Sequence, residues 1–156
     1  MKLEELLPAV DRTPADYKRA AEDVRLDLEG LHALAGSPYP FVRIAVAQQE
    51  RAAPQTLARV LDGEFSLWDR NHVLRVVAGH PRADRVVLLR VLREVVSLLS
   101  HPVSRPYAAV LALSERGEIE PDELRFLVTL RGTSRRMRRA LVANLDAREG
   151  PMAQRR

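Results

Sequence analysis

The sequence predicts an all-α protein in which helices pack against one another in successive pairs. Leucine, valine and alanine dominate the apolar residues, which make up 46% of the chain, while aromatic residues make up only 4%. Small and branched side chains of this kind suit closely packed helices. Apolar residues recur at steps of three and four along most of the chain, with helix-capping residues ahead of them. The length of 156 residues corresponds to a single domain.

The first long helix is predicted from Thr13 to about Gly30. Thr13 supplies a hydroxyl N-cap, Pro14 stands at the first helical position, and Asp16 places an acid in the first turn. The apolar residues that define its buried face are Ala20, Val24, Leu28 and Leu31. Charged residues fill the positions between them, so we expect an amphipathic helix.

Later helices begin at equally clear signals. Ser66, with Asp69 three residues on, resembles a capping box, and Pro121 precedes two acids that favour a helix start. Residues 133–134 are a Thr-Ser pair that caps the last helix. Residues 84–99 are rich in valine, but their apolar and charged residues interleave at helical rather than strand spacing. We therefore expect about eight helices joined by short loops.

The helix cores recur along the chain. Equivalent positions in the first helix of each pair, 31, 33 and 31 residues apart, are Ala45, Val76, Ala109 and Ala140. Equivalent positions in the second helices, 31 and 36 residues apart, are Leu57, Leu88 and Leu124. The longer step coincides with a longer loop over residues 114–120, as expected when insertions fall between stacked helices. The sequence thus predicts helical pairs that stack on one another.

One segment of the chain carries a family resemblance. Residues 34–47 consist of a proline-containing turn followed by Val-Arg-Ile-Ala-Val-Ala, and residues 54–61 have the pattern Pro-x-x-Leu-x-x-x-Leu. Together they resemble one unit of the leucine-rich repeat variant and HEAT-like helical repeat families. The resemblance implies a right-handed α-solenoid that serves as a binding scaffold. One iron–sulfur variant of these families uses an N-terminal cysteine cluster, which this cysteine-free chain does not supply.

The repeat and the resemblance together predict the domain organisation. We expect a single helical-repeat domain over residues 1–149, with an N-terminal cap over about 1–33 and repeats over about 34–146. Residues 150–156, which begin with a Gly-Pro pair, are expected to form a flexible tail. The charged first helix and the arginine-rich last helix suit the polar ends that a stack of helical pairs requires.

Composition and spacing exclude several kinds of chemistry. The chain has no cysteine, which excludes disulfides, thiolate metal sites and a cysteine nucleophile. The glycines stand singly where helices end, not in a phosphate-binding loop. Four histidines lack the spacing that places two metal ligands on one helical face: His32, His72, His80 and His101. We therefore predict no catalytic residue, no metal and no cofactor.

Neither a secretory signal nor a membrane span is found in the sequence. Residues 1–10 contain two acids and a proline without an apolar run, and a run of about 18 apolar residues occurs nowhere. We expect a cytoplasmic protein with no membrane partner.

DNA glycosylases are the one enzyme class on a HEAT-like fold for which this chain offers suitable residue types. Such an enzyme would use Asp, Arg and aromatic side chains on a concave face to hold damaged DNA. Trp68, Asp69 and Arg70 supply these residue types. The simpler interpretation, which we favour, is that Trp68 packs in the core and Asp69 completes the capping box begun by Ser66.

Charge is distributed unevenly along the chain. Residues 1–64 contain 8 Lys and Arg against 11 Asp and Glu, whereas residues 65–156 contain 17 against 10. Five arginines fall within nine residues, and we name them the arginine cluster: Arg131, Arg135, Arg136, Arg138 and Arg139. Four of them follow the cap at Ser134, where the positive end of the helix dipole disfavours each cation by a few tenths of a kcal/mol.

Three interpretations of the arginine cluster are open. It can be a solvated helix face, with Met137, Leu141 and Leu145 toward the core and local pairing to the acids of residues 118–120. It can bind phosphate or a carboxylate-rich protein. It can bind nucleic acid, for which Phe126 is the only nearby stacking residue. We predict a non-catalytic scaffold that binds an unidentified protein, for which an acidic protein is a candidate. Nucleic-acid binding is the alternative, followed by a DNA glycosylase-like protein.

Overall fold

The computed structural model describes residues 1–101 and 104–153, and it confirms that the chain is all-α. Within those residues the regular structure consists of ten α-helices and one 3₁₀ helix, with no strand. The helices are α1 (Leu3–Leu6), α2 (Pro14–Glu22), α3 (Leu28–Leu34), α4 (Pro40–Ala47), α5 (Pro54–Leu61), α6 (Leu67–Ala78), α7 (Arg85–Leu99), α8 (Tyr107–Ser114), α9 (Pro121–Arg125) and α10 (Arg135–Ala153), with the 3₁₀ helix at Phe126–Thr129.

Capping residues begin the later helices where the sequence predicts. Ser66 Oγ accepts a hydrogen bond from the Asp69 N–H at 3.2 Å at the start of α6. Ser134 Oγ accepts one from the Met137 N–H at 3.2 Å at the start of α10. Pro121 is the first residue of α9. These starts depend on neighbouring residues only, which is why a local pattern predicts them.

The predicted helix over residues 13–30 is wrong, because the structure divides it into α2 and α3. Asp23 ends α2 with extended backbone, and its carboxylate accepts the Arg25 N–H at 2.9 Å. Asp27 then caps α3 by accepting the Gly30 N–H at 2.7 Å. Each aspartate satisfies a backbone donor outside a helix and so competes with helix continuation. Two residues expected on the buried face are instead exposed: Val24 and Leu28.

The chain divides into two compact units, Met1–Ala83 and Asp84–Arg156. In the first unit α4 is the central helix, since it packs against α2, α3, α5 and α6. Small and branched residues allow the neighbouring helices to approach it closely. Its buried residues are Val42, Ala45, Val46 and Ala47.

Hydrogen bonds in the first unit join residues 31 positions apart. His80 Nε2 lies 2.8 Å from the carbonyl oxygen of Gln49, and Arg82 Nη1 lies 3.1 Å from that of Arg51. The turn after α6 therefore lies directly on the turn after α4. The separation equals the first step at which the helix cores recur in the sequence.

Buried residues recur at the same spacing as the helix cores in the sequence. In the first helix of each pair, however, the fully buried residue lies one position after the one that the sequence pattern indicates. Among the residues that the sequence places in equivalent positions, Ala45 and Ala109 are buried while Val76 and Ala140 are half-buried. The next residue is fully buried in all four helices: Val46, Val77, Val110 and Leu141. In the second helices the equivalent leucines are also fully buried: Leu57, Leu88 and Leu124.

In the second unit α10 packs against α8, α9 and the 3₁₀ helix, while α7 packs against α8. Met137, Leu141 and Leu145 are buried at four-residue steps and form the inner face of α10. Further along the helix, Arg148 donates to the carbonyl oxygens of Ser114 at 3.1 Å and Ile119 at 2.6 Å. These two bonds hold the long loop after α8 against α10.

The helix α10 is interrupted at Gly150, the first residue of the predicted tail. Gly150 has φ 65° and ψ −175°, a conformation that is essentially restricted to glycine. Residues 154–156 of the predicted tail lie outside the described residues.

Candidate functional site

The arginine cluster lies at the start of α10, with Arg131 in the preceding loop and its other members in the first five helical residues. All five side chains are exposed. The arginines of α10 face solvent because Met137, Leu141 and Leu145 occupy the buried face of the same helix. The cluster is therefore a single cationic surface.

Hydrogen bonds hold the backbone ahead of the cluster in place. Tyr107 Oη donates to the Gly132 carbonyl at 2.8 Å and accepts the Ser134 N–H at 3.2 Å. The Gly132 N–H donates to the Leu99 carbonyl at 2.7 Å. This approach requires glycine, since an added Cβ would lie 2.6 Å from the same oxygen. The arginines are thus presented from a fixed backbone.

The acids of the preceding loop do not neutralise the cluster. Glu118 pairs with Arg116 at 2.7 Å, and Glu123 pairs with Arg85 at 2.6 Å. At the start of α9 the Glu120 N–H donates to the Glu123 carboxylate at 2.8 Å. The local pairing that the sequence suggested for this loop is therefore wrong. Within residues 1–101 and 104–153, the five guanidinium groups make no hydrogen bond or ion pair.

The two ends of α10 carry opposite charges, and both oppose the helix dipole. Toward the C-terminal end, Arg125 Nη2 lies 3.4 Å from Asp146 Oδ1 and forms a closer pair with Glu149. The hydrogen bond to Glu149 raises the pKa of Arg125 above its usual value. The acids at the negative end are thus compensated by Arg125. In the described part of the chain, the arginines at the positive end have no such partner.

Many other arginines have roles in the fold. Arg43 Nη1, for example, donates to the Arg59 carbonyl at 2.7 Å, which ties α4 to the end of α5. Side chains that bind backbone carbonyls in this way are those of Arg12, Arg43, Arg51, Arg70, Arg82, Arg85 and Arg148. The side chains of the arginine cluster have no equivalent contact with the described residues.

Trp68 is not in the core, contrary to the sequence prediction. Its side chain is 84% exposed at the second position of α6. The buried residues of α6 are Val73, Leu74, Val77 and Ala78. At 3.6 residues per turn, Trp68 points about 150° away from the centre of that buried face. The capping signal at Ser66 fixed the helix start, and projection of the residues onto the helix could have predicted the exposure.

Trp68, Asp69 and Arg70 do not present their side chains together. The Arg70 guanidinium donates to the carbonyls of Leu61 at 3.2 Å and Gly63 at 3.1 Å. The Cζ atom of the Arg70 guanidinium also lies 4.9 Å from the centre of the Phe65 ring. Arg70 thus binds the turn ahead of α6 rather than facing solvent beside Trp68.

The histidines lie at separate places in the fold. His80 is buried between the turns after α4 and α6, and His32 Nδ1 lies 3.0 Å from Thr56 Oγ1. His72 Nδ1 lies 3.2 Å from Arg75 Nη2, and His101 is exposed. Among the described residues, no group of three or more His, Asp or Glu side chains is placed to hold a metal ion.

No helix in residues 1–101 or 104–153 combines the length and the apolar character that a membrane crossing needs.

Comparison of the chain with family models, curated proteins and solved structures gave no match. What the arginine cluster can bind therefore follows from its own residues and contacts.

Proposed function

We propose that this chain is a non-catalytic scaffold of stacked helical pairs, a right-handed α-solenoid, that binds an acidic segment of another protein through the arginine cluster. The observation that carries the proposal is a set of five exposed guanidinium groups on a fixed backbone, without a partner among the described residues. Their position at the positive end of α10 lowers helix stability. An external anion would remove that penalty.

The chemistry of the cluster suits binding rather than catalysis. A guanidinium group stays protonated at all physiological pH values, so it neither takes nor gives a proton in a reaction. Its planar set of N–H donors matches both oxygens of a carboxylate, which gives strong and directional hydrogen bonds. Several such groups on one helix face fit a partner segment with several Asp or Glu residues.

The stacking part of the proposal is supported by contacts in the first unit. Hydrogen bonds join His80 to Gln49 and Arg82 to Arg51, each pair 31 residues apart. Contacts between equivalent residues of successive helical pairs are what a solenoid requires. The residues buried at steps of 31, 33 and 31 from Val46 agree with the same arrangement.

Protein is favoured over nucleic acid because the second unit offers little for bases to stack on. Residues 84–156 contain two aromatic residues, Tyr107 and Phe126. The Tyr107 hydroxyl is bound to Gly132 and Ser134, which leaves Phe126 as the exposed ring. Recognition of single strands usually depends on several stacking side chains.

Fluorescence anisotropy with a labelled polyglutamate peptide tests the proposal. We expect the wild-type protein to bind the peptide, and a double variant, Arg135→Ser with Arg139→Ser, to bind at least about tenfold more weakly, because each lost charged hydrogen bond contributes about 1.5 kcal/mol or more. The matched control is Arg75→Ser with Arg93→Ser, which removes two exposed arginines from other helices and should retain the wild-type affinity. Equal losses in both variants would show net charge, not the cluster, to be responsible.

The same assay with labelled DNA and RNA separates the two partner classes. Measurements at about 50 and 200 mM salt should give weak binding to nucleic acid at both concentrations. Tight binding at low salt that falls steeply at high salt, and that depends on Arg135 and Arg139, would replace the protein-binding proposal with nucleic-acid binding.

A further inference from the structure

A second exposed surface lies in the first unit, around Trp68. We name residues 62–69 the Trp68 turn. Trp68 is 84% exposed and the neighbouring Leu67 is 47% exposed. Tryptophan is among the residues most enriched where proteins bind one another, because one side chain supplies a large contact area with little conformational freedom to lose.

The Trp68 turn has a fixed conformation. The Arg70 guanidinium donates to the carbonyls of Leu61 and Gly63 and stacks on the face of the Phe65 ring. Arg43 packs against Gly63 so closely that a Cβ on that glycine would lie 2.6 Å from the arginine side chain. Trp68 is therefore held outward from a backbone that needs little further ordering when a partner binds.

The charge around Trp68 indicates what kind of surface it fits. Glu64 is exposed and Asp69 is partly exposed, whereas the Arg70 guanidinium is turned toward backbone carbonyls. An acidic rim around an aromatic side chain disfavours nucleic acid and anionic lipid, and it favours a cationic protein surface.

The arginine cluster is a surface of the complementary kind. Exposed Val142 lies one helical turn after Arg138 and Arg139, so α10 presents an apolar contact beside guanidinium groups. Arginine binds the face of a tryptophan ring through a cation–π interaction, and its N–H groups can at the same time reach carboxylates at the rim.

We propose that the Trp68 turn of one copy of this chain binds the arginine cluster of a second copy. This inference rests on the proposed function, for which it names the acidic partner. Trp68 and the five arginines are all exposed, so both surfaces are available to a second copy. Because the two surfaces differ, a pair of bound copies still offers one free Trp68 turn and one free arginine cluster, and association continues beyond two copies unless a ring closes.

Sedimentation velocity over a range of protein concentrations, at low salt, tests the proposal. We expect the wild-type mass to rise with concentration and to fall again when salt is raised to about 500 mM. Trp68→Ala should weaken self-association at least about thirtyfold, the effect of losing an interface anchor. The matched control is Val24→Ala, a truncation of another exposed apolar residue of the same unit, which should behave as wild type.

Mixing two variants gives the decisive result. Trp68→Ala retains its arginine cluster, and the Arg135→Ser, Arg139→Ser variant retains its Trp68 turn. Each should be monomeric alone, and an equimolar mixture should form a species of two chains that grows no further. A monomeric mixture, or a wild type that stays monomeric at the highest concentration, would overturn self-association. If polyglutamate still binds in that case, the proposed function stands while this inference fails.

Discussion

His80 in the turn after α6 is hydrogen-bonded to Gln49 in the turn after α4. His80 Nε2 lies 2.8 Å from the Gln49 carbonyl oxygen, and His80 Nδ1 accepts the Arg82 N–H at 3.0 Å. Since Nδ1 is an acceptor, the proton of a neutral imidazole is on Nε2, which donates to the carbonyl. One buried side chain thus orders its own turn and joins it to the preceding one.

Replacement of His80 should destabilise the protein. His80→Ala removes the donor from the Gln49 carbonyl and the acceptor from the Arg82 N–H, so we expect a loss of about 2 kcal/mol in the free energy of unfolding. Urea unfolding followed by circular dichroism measures it. The exposed His101 provides the control, because His101→Ala should change the free energy by less than about 0.5 kcal/mol. Similar values for the two variants would contradict the role assigned to His80.

Two glycines of the second unit should respond in opposite ways to alanine. Gly132→Ala places a Cβ 2.6 Å from the Leu99 carbonyl oxygen, and backbone atoms must shift to admit it. We expect a loss of about 2 kcal/mol or more. Gly117 has nothing within 4 Å of an added Cβ, so Gly117→Ala should be neutral or stabilise by about 0.5 kcal/mol. Thermal unfolding of both variants checks the contrast.

The ion pair between Arg85 and Glu123 should make stability depend on pH in the acid range. The Arg85 hydrogen bond, together with one from the Glu120 N–H, lowers the pKa of Glu123 from 4.5 to about 2. A lowered carboxyl pKa stabilises the folded state above 4.5, and this contribution disappears as the pH falls toward 2. Glu123→Gln should therefore reduce the decline in unfolding free energy across this range. Arg85→Gln should remove a smaller part of the decline, because the Glu120 N–H still binds the Glu123 carboxylate, and an unchanged profile in both variants would contradict the pair.

Removal of charge from the arginine cluster should raise stability while it lowers binding. Arg135→Glu replaces a cation by an acid at the first residue of α10, where the helix dipole favours the acid, so we expect a gain of about 0.5 kcal/mol. Arg148 on the same helix is the contrasting position. Its two hydrogen bonds to the loop after α8 are lost in Arg148→Ser, which should cost about 1 to 2 kcal/mol. Denaturant titration distinguishes a site that lowers stability from a structural arginine.

Local sequence predicts the helix starts of this chain well because capping involves residues three positions apart. Ser66 and Ser134 each bind the N–H group of the third residue after them, as their sequence context predicts. The same reasoning missed the break between α2 and α3, although Asp27 and Gly30 have the spacing of a cap. The apolar period of residues 20–31 continues through this break, so it does not indicate the local hydrogen bond that begins a new helix.

The sequence located the arginine cluster, but it did not determine whether acidic side chains form ion pairs with it. Which acid pairs with which arginine depends on contacts between residues far apart in the chain, such as Arg85 with Glu123, 38 positions later. The sequence offered the acids of residues 118–120 as partners for the cluster, and the fold instead pairs Glu118 with Arg116. The exposure of Trp68 likewise depends on which face of α6 packs against its neighbours.

By itself, the sequence determined the helical class of this protein, the starts of several helices, the recurrence of buried positions and the position of the densest positive charge. Each of these follows from interactions within a turn or two of helix, or from a periodic apolar pattern. Only the tertiary structure decided which helix faces are buried and that the arginine cluster has no partner among the described residues. Burial and ion pairing depend on which helix faces meet, and that is set by packing between distant segments.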